Sequence, residues 1–491
     1  MKYLAVLVAV VFMVVVASCN CGGAGIPCTS SADCPANFTC EGGHCDGSGA
    51  GDGGGSGGDG GGGSPDGGGG PCVGLECQQV TCPGGGTTTL TGTVYSPAGN
   101  LPLYNAIVYV PNAPVQPFPD GGVTCDQCGA AASGNPVVSA LTGPDGAFRL
   151  DNVPVGQNIP LVIQMGKWRR QVTVAVPQCQ QTALDAGSTR LPRNKSEGDI
   201  PKMAIATGSA DPFECLLLKT GLDPAEITAP TGSGRVHFYR GQGGTSLSGA
   251  PTSSQLWGSL DTLKQYDVVM LPCEGTANTD SPTKTDTGKR NVLDYTNLGG
   301  RVFATHYSYN WVAMAPDLFP SGGSGVISST VATWRIQGVD PVFPYQEAFH
   351  VSVDTSFPKG SAFAEWLVNV QASQDAGTLT LHETRHNVDS VNSPAAQRWL
   401  YGDNTRQSGG TPIVTHFTFN TPVSRPAAEQ CGRIVFSSFH VSASALTGST
   451  TTFPAACRTG APSAQEKALI FMLFDLSSCV QRDDIPPIII H

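Results

Sequence analysis

Residues 46–71 hold sixteen glycines and four aspartates, with no lysine, no arginine and no large apolar side chain. A stretch of that composition has nothing to bury against the entropy lost on ordering. It behaves as a flexible coil with an end-to-end distance of roughly 28 Å. The chain is therefore divided into a small N-terminal piece and a large C-terminal one that fold separately. Its 491 residues suffice for two or three domains beyond this linker. Charged residues make up 13% and the net charge is −11, with no local block of Lys and Arg. Nucleic-acid binding needs a basic face that releases counterions, so that function class is excluded.

Lys2 is the only charge before an unbroken apolar run from Leu4 to Val16. That run is too short to span a bilayer and suits the core of a signal peptide. It ends in Val16-Ala17-Ser18-Cys19, followed by Asn20. An aliphatic residue, two small residues and a cysteine in this place resemble a bacterial lipobox. The resemblance implies that residues 1–18 are removed and that the Cys19 thiol carries the lipid. The protein is then exported and lipid-anchored. Asn20 is not the Asp of inner-membrane retention, so the outer membrane is expected. In such a compartment cysteines pair. Residues 19–45 carry Cys28, Cys34, Cys40 and Cys45 in a piece too small for a core, so two disulfides are expected, in any of three pairings. His44 beside Cys45 leaves a zinc knuckle as the rival reading.

From 72 to about 185, short alternating segments are separated by Gly, Pro and Asp turns, which predicts a β-sandwich. Gly92-Thr93-Val94, Ala106-Ile107-Val108, Thr142 through Gly146 to Phe148, and Val153-Pro154-Val155-Gly156 resemble the carboxypeptidase regulatory-like (CnaB-type) family. That resemblance implies a spacer or adhesion module without catalytic residues. Cys125 and Cys128 form a Cys-x-x-Cys pair between loops rich in Pro and Gly. They lack the helix N-terminus that redox chemistry uses, so structural disulfides are expected, with Cys72, Cys77, Cys82 or Cys179 as partners.

Residues 200–480 change character. Apolar strands at Lys202–Gly208, Arg235–Tyr239, Asp267–Pro272 and Arg301–His306 alternate with helical segments. This predicts βαβ units and a doubly wound, flavodoxin-like parallel sheet, interrupted at about 320–400 by an inserted β-rich segment with one helix. Asp211 is placed as the N-cap of the helix after the first strand. Ser463 and Glu466 form a capping box that opens the last one. The fold class is thus multidomain: a disulfide-rich head, a sandwich and an α/β body.

Three segments of the body, YDVVMLPCEG (266–275), GGRVFATHYS (299–308) and GRIVFSSFH (432–440), resemble the class I glutamine amidotransferase-like superfold, in particular its ThuA-like branch. The family's cysteine nucleophile sits at the strand-to-helix elbow, where this chain has His306. The resemblance therefore implies a fold without its attacking group. His306 and His440 each end a predicted strand and are candidates to face one crevice, with Glu274 and Cys273 as further candidates. Cys273 precedes Glu274, whose charge would raise the thiol pKa. His416 falls inside an alternating strand.

His382-Glu383-Thr384-Arg385-His386 matches H-E-x-x-H, which makes His382 and His386 formal metal candidates. The motif works on a helix. Here alternating β-formers flank it, and in a strand the two imidazoles stand about 13 Å apart. No cofactor motif is read. Two functions are expected from this sequence: a non-catalytic surface protein binding glycan or a protein ligand, or a periplasmic or surface hydrolase using the His-containing crevice, with a metal or without.

Overall fold

The computed structural model describes residues 39–41, 44–46, 72–119, 122–275, 284–314, 330–335, 348–404, 411–441, 457 and 460–488. Cys19, Cys28 and Cys34 lie outside these, as do the side chains of Cys40 and Cys45. The chain forms two units, Met1–Asp66 and Gly67–His491. In the first, Thr39–Glu41 and His44–Asp46 pair as an antiparallel hairpin that sets Cys40 opposite Cys45.

The second unit begins with seven strands in two sheets. One orders Ala147–Asp151, Thr89–Thr93 and Gln181–Ala183; the other orders Pro136–Leu141, Ile107–Pro111, Gly156–Met165 and Trp168–Val176. Ala147–Asp151 shows the two-residue period of a half-buried strand: Phe148 and Leu150 are buried while their neighbours are exposed. The turn before it depends on Gly146, at φ +72°, where a Cβ would press on Pro102 and the Val94 carbonyl. Cys82–Cys179 ties the start of this region to the turn before its last strand.

Among the described residues, ten strands then build one large sheet: β1 Met203–Ala206, β2 Ile227–Thr228, β3 Val236–Tyr239, β4 Val268–Leu271, β5 Arg301–Thr305, β6 Phe349–Val353, β7 Thr378–Leu381, β8 Gln397–Asn404, β9 Thr411–Thr421 and β10 Gly432–Ser437. The spatial order is β2-β3-β1-β4-β5-β10-β9-β8-β6-β7. The strands from β2 to β10 in that order are parallel, and their β3-β1-β4-β5-β10 series has the flavodoxin-like order. Strands β1, β3, β4, β5 and β10 are buried along their whole length, as sheets covered on both faces require. The region expected as an insertion stands apart only in part: Ala332–Trp334 and Val388–Val391 pair as a separate two-stranded sheet. Its strands β6, β7 and β8, with β9, extend the sheet antiparallel. Strand β9 runs antiparallel to β10 because only residues 422–431 join them, too few for a crossover. The inserted helix runs Pro358–Asn369, with Pro358 in its first turn. The capping box at Ser463 and Glu466 opens helix Ala464–Ser477.

The seven-stranded part and the large sheet share one core: Trp168 packs on Phe474, Tyr104 stacks on Phe471, and Trp366 Nε1 donates to the Pro102 carbonyl at 2.7 Å. The loop carrying Cys125 and Cys128 lies against the α/β body, with Val480 N donating to the Asp126 carbonyl and Cys128 N to that of Val480. Its two cysteines accordingly bond to Cys431 and Cys479, not to the nearby cysteines expected as partners. Cys72 pairs with Cys77, and Cys215 with Cys457.

Candidate active site

Strands β4, β5 and β10 are neighbours and parallel, so the residues that follow them emerge at one edge. These are Cys273, His306 and His440. Cys273 is held by its backbone: its N–H donates to Thr305 Oγ1 at 2.9 Å. The β1 loop packs so closely on it that a Cβ at Gly208 would overlap the Cys273 carbonyl. His306 sits at the turn where β5 passes into a short helix, at φ +40°, a left-handed conformation that non-glycine residues rarely adopt. Tyr307 lies against its ring, with centroids 3.7 Å apart.

The three side chains meet. Cys273 Sγ is 3.2 Å from His306 Nδ1, and His440 Nε2 is 3.2 Å from the same His306 Nδ1. The Gly275 amide lies 3.4 Å from the sulfur. On its far side, His440 Nδ1 faces Glu383 Oε2 at 3.2 Å. All four residues are buried. Gln465, in the first turn of the last helix, fixes this corner by donating to the His440 carbonyl at 2.5 Å and accepting from His382 N at 2.8 Å. Asp211, expected as a helix cap, turns instead to this edge and accepts from Val441 N at 2.6 Å. Pro212 takes the N-cap position without a side-chain cap.

The electrostatics follow from this packing. Burial pushes the Cys273 thiol up, but His306 and His440 outweigh it and hold the thiol well below its ordinary range. Burial pulls His440 down, while Cys273, Glu383 and Asp211 more than compensate and raise it to about 10. Burial raises Asp211 to about 6, partly offset by His440. Both shifts favour the charged forms of Cys273 and His440, and Glu383 lies at the far nitrogen of the His440 ring.

No protein family model matches this chain, and no curated protein matches it. Among solved structures, it is similar to a ThuA-like protein from Bacteroides uniformis, at 10% identity and TM-score 0.23, over 48% of this chain and 80% of that one. It is also similar to chains of two cohesin–X-dockerin complexes from Acetivibrio cellulolyticus, mutants at the C-terminal and N-terminal interface. Those matches have 15% and 14% identity and TM-score 0.15, and they cover 25% and 31% of this chain and 76% and 95% of the others. Scores this low assign neither fold nor function.

Of the residues singled out in the sequence, His306, His440 and Cys273 come together, while Glu274 turns away. Its carboxylate pairs with Lys284 at 2.6 Å and accepts from Gln242 N at 2.9 Å, so its charge is spent on a loop clamp. The expected upward push of Glu274 on the thiol is accordingly replaced by the downward pull of two imidazoles. Among the described residues, Cys273 forms no disulfide. His382 and His386 are not brought together on a helix: residues 382–387 are irregular, and His386 Nε2 pairs with Asp389 at 2.7 Å. The member of that motif that reaches the Cys273–His306–His440 cluster is its glutamate. Glu383, at φ +53°, reaches His440 across 57 positions of sequence. Its only sequence signal was its place as the glutamate of the H-E-x-x-H match, between His382 and Arg385.

Proposed function

We propose that this chain is an exported, lipid-anchored envelope protein whose α/β body is a thiol hydrolase acting on acyl bonds. The observation that carries the catalytic part is the sulfur of Cys273 beside two imidazoles, one of them backed by Glu383. In this reading the Cys273 thiolate attacks the acyl carbon. The His440 imidazolium gives its proton to the leaving group as the thioester forms. Neutral His440 then takes a proton from water, whose oxygen displaces the sulfur and releases the acid. Glu383 holds the ring in the tautomer this needs. A purely binding body, with glycan or protein as ligand, would account for the sheet but gives no reason to hold a thiol, two imidazoles and a carboxylate together.

Iodoacetamide tests the thiol without a known substrate. Cys273 of the metal-free chain is expected to be alkylated with a pH midpoint below the ordinary thiol value of about 8.5. His440→Gln and Glu383→Gln should slow the reaction at neutral pH about tenfold or more. A midpoint at the ordinary value, unchanged by His440→Gln, would remove the proposal. The anchor is tested separately: labelled fatty acid should join the wild-type protein and be absent from Cys19→Ser, which should leave the membrane fraction. Label retained in that variant would refute the lipobox reading.

A further inference from the structure

His306 Nδ1 has two neighbours at the same 3.2 Å, the Cys273 sulfur and His440 Nε2. An imidazole nitrogen carries one proton or one lone pair, so it can serve only one of them as a hydrogen bond. Glu383 accepts at His440 Nδ1, which places the proton of a neutral His440 there and leaves its Nε2 lone pair facing His306. Three ligating atoms thus converge on one point, all within 4.8 Å of one another and all on buried residues.

We propose that this triangle is a binding site for a zinc-type divalent transition-metal ion, ligated by Cys273 Sγ, His306 Nδ1 and His440 Nε2. With metal–nitrogen bonds of about 2.0–2.1 Å and a metal–sulfur bond of about 2.3 Å, a tetrahedral ion sets its ligand atoms about 3.3–3.6 Å apart. The two 3.2 Å separations need little change to reach that, and the third, between Cys273 and His440, lies within 4.8 Å. A thiolate with two imidazoles is a donor set that suits zinc and excludes calcium or magnesium, which take oxygen. Glu383 on the far nitrogen of His440 completes the carboxylate–histidine arrangement that orients metal-bound imidazoles. A second observation supports a cation here. Asp211 is fully buried and close enough for its carboxylate to act electrostatically on both Cys273 and His440.

The inference rests on the same site as the thiol chemistry and adds its regulation. An ion that takes the sulfur lone pair removes the nucleophile, so the metal-loaded and reactive forms exclude each other.

The full mature chain, with its disulfides intact and stripped by chelator, is titrated with cobalt(II). Wild type should bind one more cobalt per chain than Cys273→Ser and show tetrahedral visible bands with a thiolate charge-transfer band that the variant lacks. Glu383→Gln should weaken binding about 10–100-fold. X-ray absorption of the zinc-loaded wild type needs no variant and should give one sulfur and two imidazole nitrogens. Zinc should also protect Cys273 from iodoacetamide, and chelator should restore the reaction. Equal cobalt content in wild type and Cys273→Ser, or zinc without a sulfur ligand, would overturn the proposal. The two readings fail separately: alkylation of Cys273 without metal binding removes only the metal site, and metal bound through a thiol that is inert when metal-free removes only the nucleophile.

Discussion

Asp475→Ala is expected to lower the unfolding free energy of the α/β body by about 3–5 kcal/mol, the cost of leaving a buried ion pair without one partner. Asp475 projects from the last helix beneath the sheet. Its carboxylate meets Lys359 at 2.7 Å and Arg433 at 3.0 Å. Asp483 completes the set, at 2.7 Å from Arg433 and 3.5 Å from Lys359, and accepts from Thr418. Thr418 in turn accepts from Trp399 Nε1, and Arg433 also donates to Asn420. Two cations and two carboxylates balance, and all four are more than nine-tenths buried. Burial pushes the Asp475 carboxyl up, but Lys359 and Arg433 hold it below its ordinary range. Alanine would leave two buried cations facing one carboxylate. Asp475→Asn should cost nearly as much, because it keeps the shape and removes the charge. Replacing Lys359, Arg433, Asp475 and Asp483 together by apolar residues of similar volume should cost far less. Urea unfolding of the three variants measures this. A loss under 1 kcal/mol for Asp475→Ala would show that the network is not a unit.

This network also marks what sequence makes legible and what it hides. The strands β1, β4, β5 and β10 are short apolar runs bounded by turn residues, and each can be found from those letters alone. So can the capping box at Ser463, because its two residues are three apart. His306 and His440 stand out because each directly follows such a run. The partners could not be found in that way. Glu383 meets His440 across 57 positions, and Cys125 meets Cys431 across 306. None of these pairs has a local pattern. Their closeness follows from which strands become neighbours, and local sequence does not encode that order. Local rules also misled where a tertiary partner was stronger. Asp211 has the right place for an N-cap, yet the Val441 amide takes it. The H-E-x-x-H spacing describes a helix face, yet β7 ends in irregular chain there, and one residue of the motif was free to serve another site.

A histidine that the site does not use gives the second large effect. His416 lies on β9, fully buried between Phe303 and Phe439, and neither ring nitrogen has a hydrogen-bond partner among the described residues. Burial lowers its pKa to about 3; Asp475 opposes this and Arg433 adds to it. In the unfolded chain the same ring titrates near its ordinary value of about 6.5. Between these two values the unfolded state binds the extra proton, so stability falls as pH falls through that window. His416→Leu removes both the orphaned nitrogens and the titration. At neutral pH the variant should equal or exceed wild type by about 1–3 kcal/mol, the cost of unsatisfied buried polar atoms. Below about pH 6.5 its advantage should grow by about 1.4 kcal/mol per pH unit, reaching about 2 kcal/mol more at pH 5. Urea midpoints of both proteins from pH 7 to pH 4 measure the difference. An advantage that stays constant across that range would mean that His416 titrates alike in the folded and unfolded chain, and would overturn the prediction.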